Sequence, residues 1–335
     1  MTPLCSVCIA NYNGVRFIRE CIDSVIRQTC SFAVEIIVHD DASTDASAEL
    51  IAREYPEVRL ISSPENAGFC VANNRMVDLA LGKFILLLNN DAVLMPDALE
   101  VLASGASMLP PQAILSLAQY DADSHEMVDL GSFLDPFLNS TPRLNPGGRA
   151  PGMVSGACLW LPRTLLKELG GFPACFHALA EDLYICCRAR LEGYPVMVLS
   201  DSGFFHRIGE SLGGGKKRRT LRTNKKRRFL TERNKIFVMA VCYPSPFFEL
   251  IFPFHLLFTL LEGVLLTLIK RDGGLWREIY SKCLRSTWAM RRRLVRRRRQ
   301  VQARRKIGNF AFFAPFTPVP YKLRMLLKHG LPDIT

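Results

Sequence analysis

From Arg207 to Lys306 the chain has almost no acid. Six Asp and Glu stand there against 27 Lys and Arg, a local charge of +21, while the rest holds 25 acidic against 16 basic residues, or −9. Such division excludes an evenly mixed surface and points the back third towards an anionic partner, a nucleic acid or an anionic membrane. No glycine-rich GxGxxG turn follows the first strand-like run, which argues against a dinucleotide-binding Rossmann domain. No Walker A run occurs either. The 11 cysteines are odd in number and scattered; Cys5 and Cys8 have CxxC spacing but no second pair and no His at zinc distance. The scatter suits a reducing cytosol. A signal peptide is not expected, because strand-like Leu4 to Ala10 begins almost at Met1. Disorder over most of the length is excluded by a hydrophobic content of 49%. The 335 residues have room for one large α/β domain with an appendage, or for two domains.

What is present is alternation. Leu4–Ala10, Val34–His39, Val58–Ser62 and Phe84–Leu88 read as strands, the last an unbroken apolar run of the kind buried on both faces of a parallel sheet. Between them Arg16–Thr29 carries a helical apolar stripe, a second helix capped by Ser43 or Thr44 runs through Arg53, and Asn66–Phe69 opens a third to Leu81. Pro96 is placed at the first position of the next helix. The pattern predicts an α/β fold with a mostly parallel sheet and crossover helices. Further strands are expected at Ile114–Leu117, Met153–Leu161, Pro195–Leu199 and Gly203–His206, with helices at Pro162–Leu169 and from Glu181 to Leu191. Ser132–Pro151 reads as a loop, and Gly209 with Gly213–Gly215 as a flexible stretch.

In open α/β sheets ligands sit outside the carboxyl ends of the strands. Asn11, Asp40–Asp41 and Asn89–Asn90–Asp91 all lie there. A carboxylate in that place can accept from a base N–H or a ribose hydroxyl. One beside amides can hold a divalent cation, since Mg²⁺ keeps waters and takes only one or two protein carboxylates. The plainer alternatives are a polar turn at Asn89–Asp91 and helix capping by Asp40 and Asp45, which is preferred for Asp45. Glu181 and Asp182 open a helix and suit either capping or a general base. His206 after its strand suits either a structural part or a metal ligand.

The order of these motifs resembles family 2 glycosyltransferases, the inverting GT-A enzymes. Ser6–Asn13 looks like their opening nucleotide-binding strand, Asp40-Asp41-Ala42-Ser43-Thr44-Asp45 like their Asp-Asp-Gly-Ser-Thr-Asp turn, and Asn66-Ala67-Gly68-Phe69 with Ala72-Asn73-Asn74 like their Asn-x-Gly-Phe segment. Leu88-Asn89-Asn90-Asp91 is similar to the Asp-x-Asp metal motif. Glu181-Asp182 with Arg188 matches the Glu-Asp pair that carries the base, and His206 with Gly209 and Ser211 the downstream His-x-x-Gly-x-Ser. The resemblance covers residues 4 to 240. It implies Asp182 as catalytic base, Asp91 and His206 holding Mg²⁺ or Mn²⁺, and a UDP- or dTDP-sugar donor held by Ala10, Asn11, Asp40 and Asp41. It extends substrate binding to Asn66, Gly68, Asn74, Asn90, Glu181 and Arg188. Tyr184 stands where many relatives have a second acid, Asn89 replaces the first acid of Asp-x-Asp, and the Gln-x-x-Arg-Trp motif of processive synthases is missing. The Asn-Asn-Asp form and the basic tail are similar to rhamnosyltransferase-like members.

The division expected is a GT-A domain over 1–215 and a basic, hydrophobic helical region over 216–335. Phe247–Ile269 is long enough to cross a bilayer, but Glu249 and Glu262 each cost about 2.5–3.5 kcal/mol near a helix centre and Pro253 interrupts the run. Sixteen Phe, Leu, Ile and Val residues return about 0.3–0.6 kcal/mol each, so energy alone leaves insertion open. Basic flanks on both sides favour helices lying in the cytoplasmic interface, or a re-entrant hairpin, on anionic headgroups. The leading expectation is thus an enzyme at the cytoplasmic membrane face acting on a lipid-linked or cell-envelope saccharide. The alternatives are a nucleic-acid-binding protein, disfavoured by the apolar run, and an inactive scaffold of the same family.

Overall fold

The computed structural model describes residues 2–207, 215–217 and 220–334, the side chains of 215–217, 220–222 and 329 excepted. Gly209, Ser211, Gly213, Gly214, Arg218 and Arg219 lie outside the described residues. By internal packing the chain forms two units. One holds the described residues before 133 with 142–189 and 194–207; the other holds 133–141, 190–193 and the described residues after 207.

The first unit is a mixed sheet with helices. Strands β1 (Cys5–Asn11), β2 (Val34–Asp40), β3 (Arg59–Ser62) and β4 (Phe84–Asn89) are joined by helices α1 (Ile18–Ile26), α2 (Ser47–Glu54) and α3 (Phe69–Leu79). They run parallel in the order β3-β2-β1-β4. Val7, Cys8 and Ile9 of β1 and Leu86, Leu87 and Leu88 of β4 are inaccessible or nearly so, on both faces of the sheet, which is why these two strands lack apolar–polar alternation there. The register sets Asn11 opposite Asp40 and Ala10 opposite Asn89, so polar residues gather at one edge where the apolar runs stop.

Beyond β4 the pattern of crossovers ends. A turn at Asn90–Asp91 sends the chain into β5 (Ala92–Leu94), ahead of α4 (Ala98–Met108). Then come β6 (Ile114–Asp121), β7 (Met127–Asp129), β8 (Ser132–Leu134), β9 (Ser140–Pro142), β10 (Cys158–Pro162), α5 (Arg163–Glu168), α6 (Glu181–Leu191) and β11 (Val196–His206). Strand β10 enters antiparallel between β4 and β6, and β5 pairs antiparallel with β11.

Four expectations are corrected. The helix expected from Pro96 begins at Ala98, because Ala92–Leu94 is spent on the sheet. The loop at 132–151 contains β8 and β9, ordered by Asp135, whose oxygens accept from Phe137 N, Asn139 N and Asn139 Nδ2 at 2.8 Å each. The strand expected from Met153 begins at Cys158, because Gly156 N donates elsewhere. Neither Ser43 nor Thr44 caps α2: Ser43 Oγ donates to Asp40 Oδ1 at 2.6 Å, and Asp45 Oδ1 accepts from Ser47 N at 3.0 Å.

Ala42 has φ 62° in that turn, in the left-handed region that disfavours a side chain, and the resembled motif has Gly there. Ala42→Gly is expected to raise unfolding stability by about 0.5–1 kcal/mol, the relieved strain exceeding the added chain entropy, as read from urea midpoints.

Among the described residues the second unit takes in most of β8 and β9, the strands β12 (Gly215–Lys217), β13 (Thr220–Thr223) and β14 (Asp333–Ile334), a π-helical stretch at Leu275–Tyr280 and the α-helices α7 (Lys225–Cys242), α8 (Phe247–Lys270), α9 (Ser281–Ala303), α10 (Asn309–Phe313) and α11 (Tyr321–His329). Helix α7 starts earlier than its apolar part because Asn224 Oδ1 accepts from Arg227 N at 2.7 Å. Among the described residues α8 is the one helix long and apolar enough to cross a membrane. Its acids are not left bare. Glu262 pairs with Arg228 and with Lys322 at 2.7 Å, and Glu249 lies 3.9 Å from Arg298. His255, Thr259, Gly263 and Leu266 are buried on one face, while ten apolar residues from Leu250 to Ile269 stand exposed.

Candidate active site

The site begins at Asn11, the last residue of β1 and wholly buried. Its Nδ2 donates to Asp40 Oδ1 at 2.8 Å and to Ser47 Oγ at 2.9 Å, and its Oδ1 accepts from Asn90 Nδ2 at 2.9 Å. One amide thus ties together the ends of three parallel strands. Asp40 uses both oxygens here, the second accepting from Ser43 N at 3.0 Å. Gly14 packs against this junction: a Cβ there would lie 2.1 Å from Asn11 Oδ1 and 2.3 Å from Asn90 Nδ2.

From the junction a closed ring of chain and hydrogen bonds runs through Asp41 and Asp182 and passes Asp91, whose carboxylate shares no hydrogen bond with it. Asp41 N donates to Asn11 O at 2.8 Å, and the Asp41 carboxylate accepts from Ala67 N at 2.9 Å and Gly68 N at 2.8 Å. Gly68 has φ +91°, and a Cβ on it would meet His177 Nδ1 at 2.2 Å. Cys70 N also donates to His177 O at 3.0 Å. Five residues past His177 stands Asp182, whose Oδ2 accepts from Gly156 N at 3.1 Å and Oδ1 from Leu183 N at 2.7 Å. Next to Gly156, Ala157 O accepts from Asn89 N at 3.0 Å, which returns the path to Asn90, Asp91 and Asn11. His177, Leu179 and Ala180 all have positive φ. Three such residues just ahead of one carboxylate mark a segment held in place by its surroundings.

The two outer acids differ in surroundings. Asp182 is partly exposed, yet burial of its carboxyl pushes its pKa above the usual 3.8, against the two backbone N–H bonds that lower it. Asp91 is 1% exposed and neither oxygen accepts a hydrogen bond. Its Oδ1 lies 3.1 Å from Nε2 of buried His206, a contact that is an ion pair only when the ring is protonated. His206 Nδ1 in turn lies 3.2 Å from Gln119 Nε2, and Asn89 Nδ2 is 3.5 Å from Nε2.

A buried carboxylate with two open oxygens beside an imidazole is a donor set that fits a divalent cation. No group of three His, Cys, Asp or Glu suited to a metal occurs among the described residues, so the remaining positions would fall to phosphate oxygens and water.

The other expected residues fall around the ring in different ways. Ala10 is half-buried beside Asn89, and Asn66 is exposed ahead of Gly68. Asn74 clamps a neighbouring loop, donating to Phe172 O at 2.8 Å and accepting from Phe172 N at 2.9 Å. Glu181 and Arg188 are buried on α6, and Tyr184 packs edge-on against Phe176, their centroids 5.7 Å apart. Gln119, Gly156 and His177 were not singled out from the sequence. Gly156 lies in a run of small residues, Ser155-Gly156-Ala157, and a Cβ on it would press Asp182 Cβ at 3.2 Å.

The family model described as Glycosyl transferase family 2 matches residues 6–170, the stretch that builds most of this ring. The chain carries a family 2 glycosyltransferase domain. It is 39% identical over 102 residues to the chondroitin synthase of Pasteurella multocida, covering 30% of this chain and 10% of that protein. It is 25% identical over 211 residues to the N-acetylglucosaminyl-diphospho-decaprenol L-rhamnosyltransferase of Mycobacterium tuberculosis, covering 54% of this chain and 68% of that one. In fold it is similar to GalNAc-T7, solved with UDP, GalNAc and Mn²⁺, with a TM-score of 0.58 at 16% identity over 74% of this chain and 49% of that one. The chain thus spans only a small part of the synthase and about half of GalNAc-T7.

Proposed function

We propose that this chain is an inverting, metal-dependent glycosyltransferase. It moves a sugar from a nucleoside-diphosphate sugar to a lipid-linked or cell-envelope saccharide at an anionic membrane surface. The observation that supports the reading is the closed ring that links the Asp41 and Asp182 carboxylates to the strand-end junction of Asn11 and Asn90, with Asp91 the next residue after Asn90.

Transfer is a single displacement. The acceptor oxygen bonds the anomeric carbon as its bond to the phosphate oxygen breaks. The hydroxyl proton passes to Asp182, and the nucleoside diphosphate leaves with the bonding electrons. Asp182 suits this part because its raised pKa makes it a stronger base than an ordinary carboxylate. Asp41 fixes the Ala67–Gly68 backbone against which the nucleoside would lie. Asn11, Asp40 and Asn90 hold the strand ends in register. Asp91 with His206 would hold Mg²⁺ or Mn²⁺, a bound cation neutralising charge on the departing diphosphate. Of the possible donors dTDP-rhamnose is favoured, supported by the Asn-Asn-Asp form and the mycobacterial relative. A panel of UDP- and dTDP-sugars with Mg²⁺, scored by thermal shift and then by transfer, tests this. No stabilisation by any donor would count against the whole reading.

Gln119 is assigned a positioning part: its side-chain amide lies against His206 Nδ1, and for Nε2 to hold a cation the amide would present its oxygen to the Nδ1 proton. Gln119→Leu is expected to weaken Mn²⁺ binding about 10–100-fold, measured by electron paramagnetic resonance of free Mn²⁺, with the fold unchanged.

The membrane reading is supported by α8. Both its acids have basic partners, and ten large apolar side chains remain uncovered on the opposite face. A contiguous exposed apolar stripe marks an interaction surface. With basic residues before and after it, an interfacial helix on anionic lipid is the fitting arrangement. A nucleic acid would have no use for that stripe.

A further inference from the structure

Helix α9 carries nine basic and no acidic residues. Its second half, with Ser245 and Arg305, lines an open depression of about 450 Å³ walled by Ser245, Val295, Arg298, Arg299, Gln302 and Arg305. Two of the three arginines are held rigidly. Arg298 donates through Nη1 to Ala240 O at 3.4 Å and to Tyr243 O, and through Nη2 to Ser245 Oγ at 3.0 Å. Its guanidinium carbon sits 3.9 Å from the Phe248 ring centroid. Arg305 donates to Ile307 O at 2.6 Å and Asn309 Oδ1 at 2.8 Å. Each fork keeps N–H groups to spare, since a guanidinium has five. Arg299 is exposed and makes no hydrogen bond or ion pair among the described residues. The acid beside the depression is Glu249, 3.9 Å from Arg298, with its side chain 57% exposed. Three cations therefore face a weak counter-charge.

We propose that this depression is a phosphate-binding site that takes the headgroup of an anionic phospholipid. Fixed guanidinium forks match phosphate oxygens better than mobile ammonium groups do. The volume suits a small headgroup. The choice of lipid rests on what adjoins the site. Ser245 stands two residues ahead of the start of α8, and Arg298 stacks on Phe248 in its first turn. The cationic depression thus opens at the end of the same helix that exposes Leu250, Phe254, Leu257, Phe258 and Leu261. A phosphate at one end and an apolar stripe running away from it are the two parts of a phospholipid. The proposal rests on the membrane reading above and deepens it by naming the point of headgroup contact.

The test is flotation of the full chain with phosphatidylcholine vesicles, with and without phosphatidylglycerol, for wild type, Arg299→Glu and Arg292→Glu. Arg292 is exposed on the same helix but does not line the depression, so both variants change the net charge equally. Both are expected to keep the wild-type melting temperature. Wild type is expected to float with the phosphatidylglycerol vesicles. Arg292→Glu should weaken binding by about the few-fold effect of a diffuse surface charge, and Arg299→Glu by roughly tenfold more than that. Equal weakening by the two variants would overturn the headgroup site while leaving the membrane reading intact. No flotation of wild type with either vesicle would overturn both. Calorimetry with inorganic phosphate gives the remaining arm: binding abolished by Arg299→Glu, with flotation equal in all three proteins, would overturn the lipid assignment in favour of a soluble phosphate.

Discussion

Asp182→Asn is expected to lower kcat by about 10²–10⁴-fold while leaving nucleotide-sugar binding within about twofold of wild type. The amide keeps the outline of the carboxylate but cannot take the acceptor proton, and its single oxygen can accept from only one of Gly156 N and Leu183 N. Burial raises the folded pKa of Asp182 above 3.8, so wild-type kcat should fall as pH drops through a value higher than an ordinary carboxylate would give. The same shift fixes the sign for stability. A carboxylate whose folded pKa lies above its unfolded one binds its proton more tightly when folded, so its ionisation costs stability, and that cost is complete only above the folded pKa. At neutral pH the neutral amide escapes that cost but gives up one of the two backbone N–H bonds, so the opposing effects should leave its Tm near that of wild type. An inactive variant with a nearly unchanged Tm is the combination expected of a base held in an unfavourable place for function. Calorimetry with the donor and a steady-state transfer assay at several pH values read all three quantities.

Gly14→Ala carries the second large effect, and it acts on the frame rather than on the chemistry. The added methyl would overlap Asn11 Oδ1 and Asn90 Nδ2, both at less than 2.5 Å, inside a buried junction. The amides are not free ends that can swing away. Asn11 is bonded to Asp40 and Ser47, and Asn90 precedes the carboxylate proposed for the metal. Breaking the Asn90–Asn11 bond leaves a buried amide unpaired, at about 1–3 kcal/mol, with overpacking adding about as much again. Loss of about 2–6 kcal/mol of stability and at least tenfold weaker donor binding are expected, read from urea unfolding and calorimetry. Unchanged donor affinity would separate the junction from the site.

The sequence carried the strands where burial dictates composition. Phe84–Leu88 is apolar throughout because both faces of the sheet are covered there, and the polar residues after it fall where the strand ends. The reversal of β5 and the antiparallel entry of β10 were not legible, since both depend on which distant strand offers an open edge. Ala92–Leu94 is too short to announce itself, and Gly156 leaves the ladder to bind a side chain 26 residues away. The same limit hid part of the site. Motif order exposed Asp41, Asp91, Asp182 and His206, but Gln119 looks like any strand amide until β6 and β11 are paired and its side chain meets the imidazole. His177 carries no helical or strand signal, and its positive φ appears only in three dimensions. Asp40 and Asn74 show the converse. Their residue types suit a ligand, but their hydrogen bonds go to Ser43 and Asn11, and to the Phe172 backbone.

A crystal structure with a nucleotide-sugar and Mn²⁺ bound tests the central claim most directly. The diphosphate and cation are expected beside Asp91 and His206, the nucleoside along Asp41 and Gly68, and the anomeric carbon open to an acceptor whose hydroxyl reaches Asp182. A donor bound away from this strand edge, or an anomeric carbon screened from Asp182 by the Gly156 segment, would contradict it.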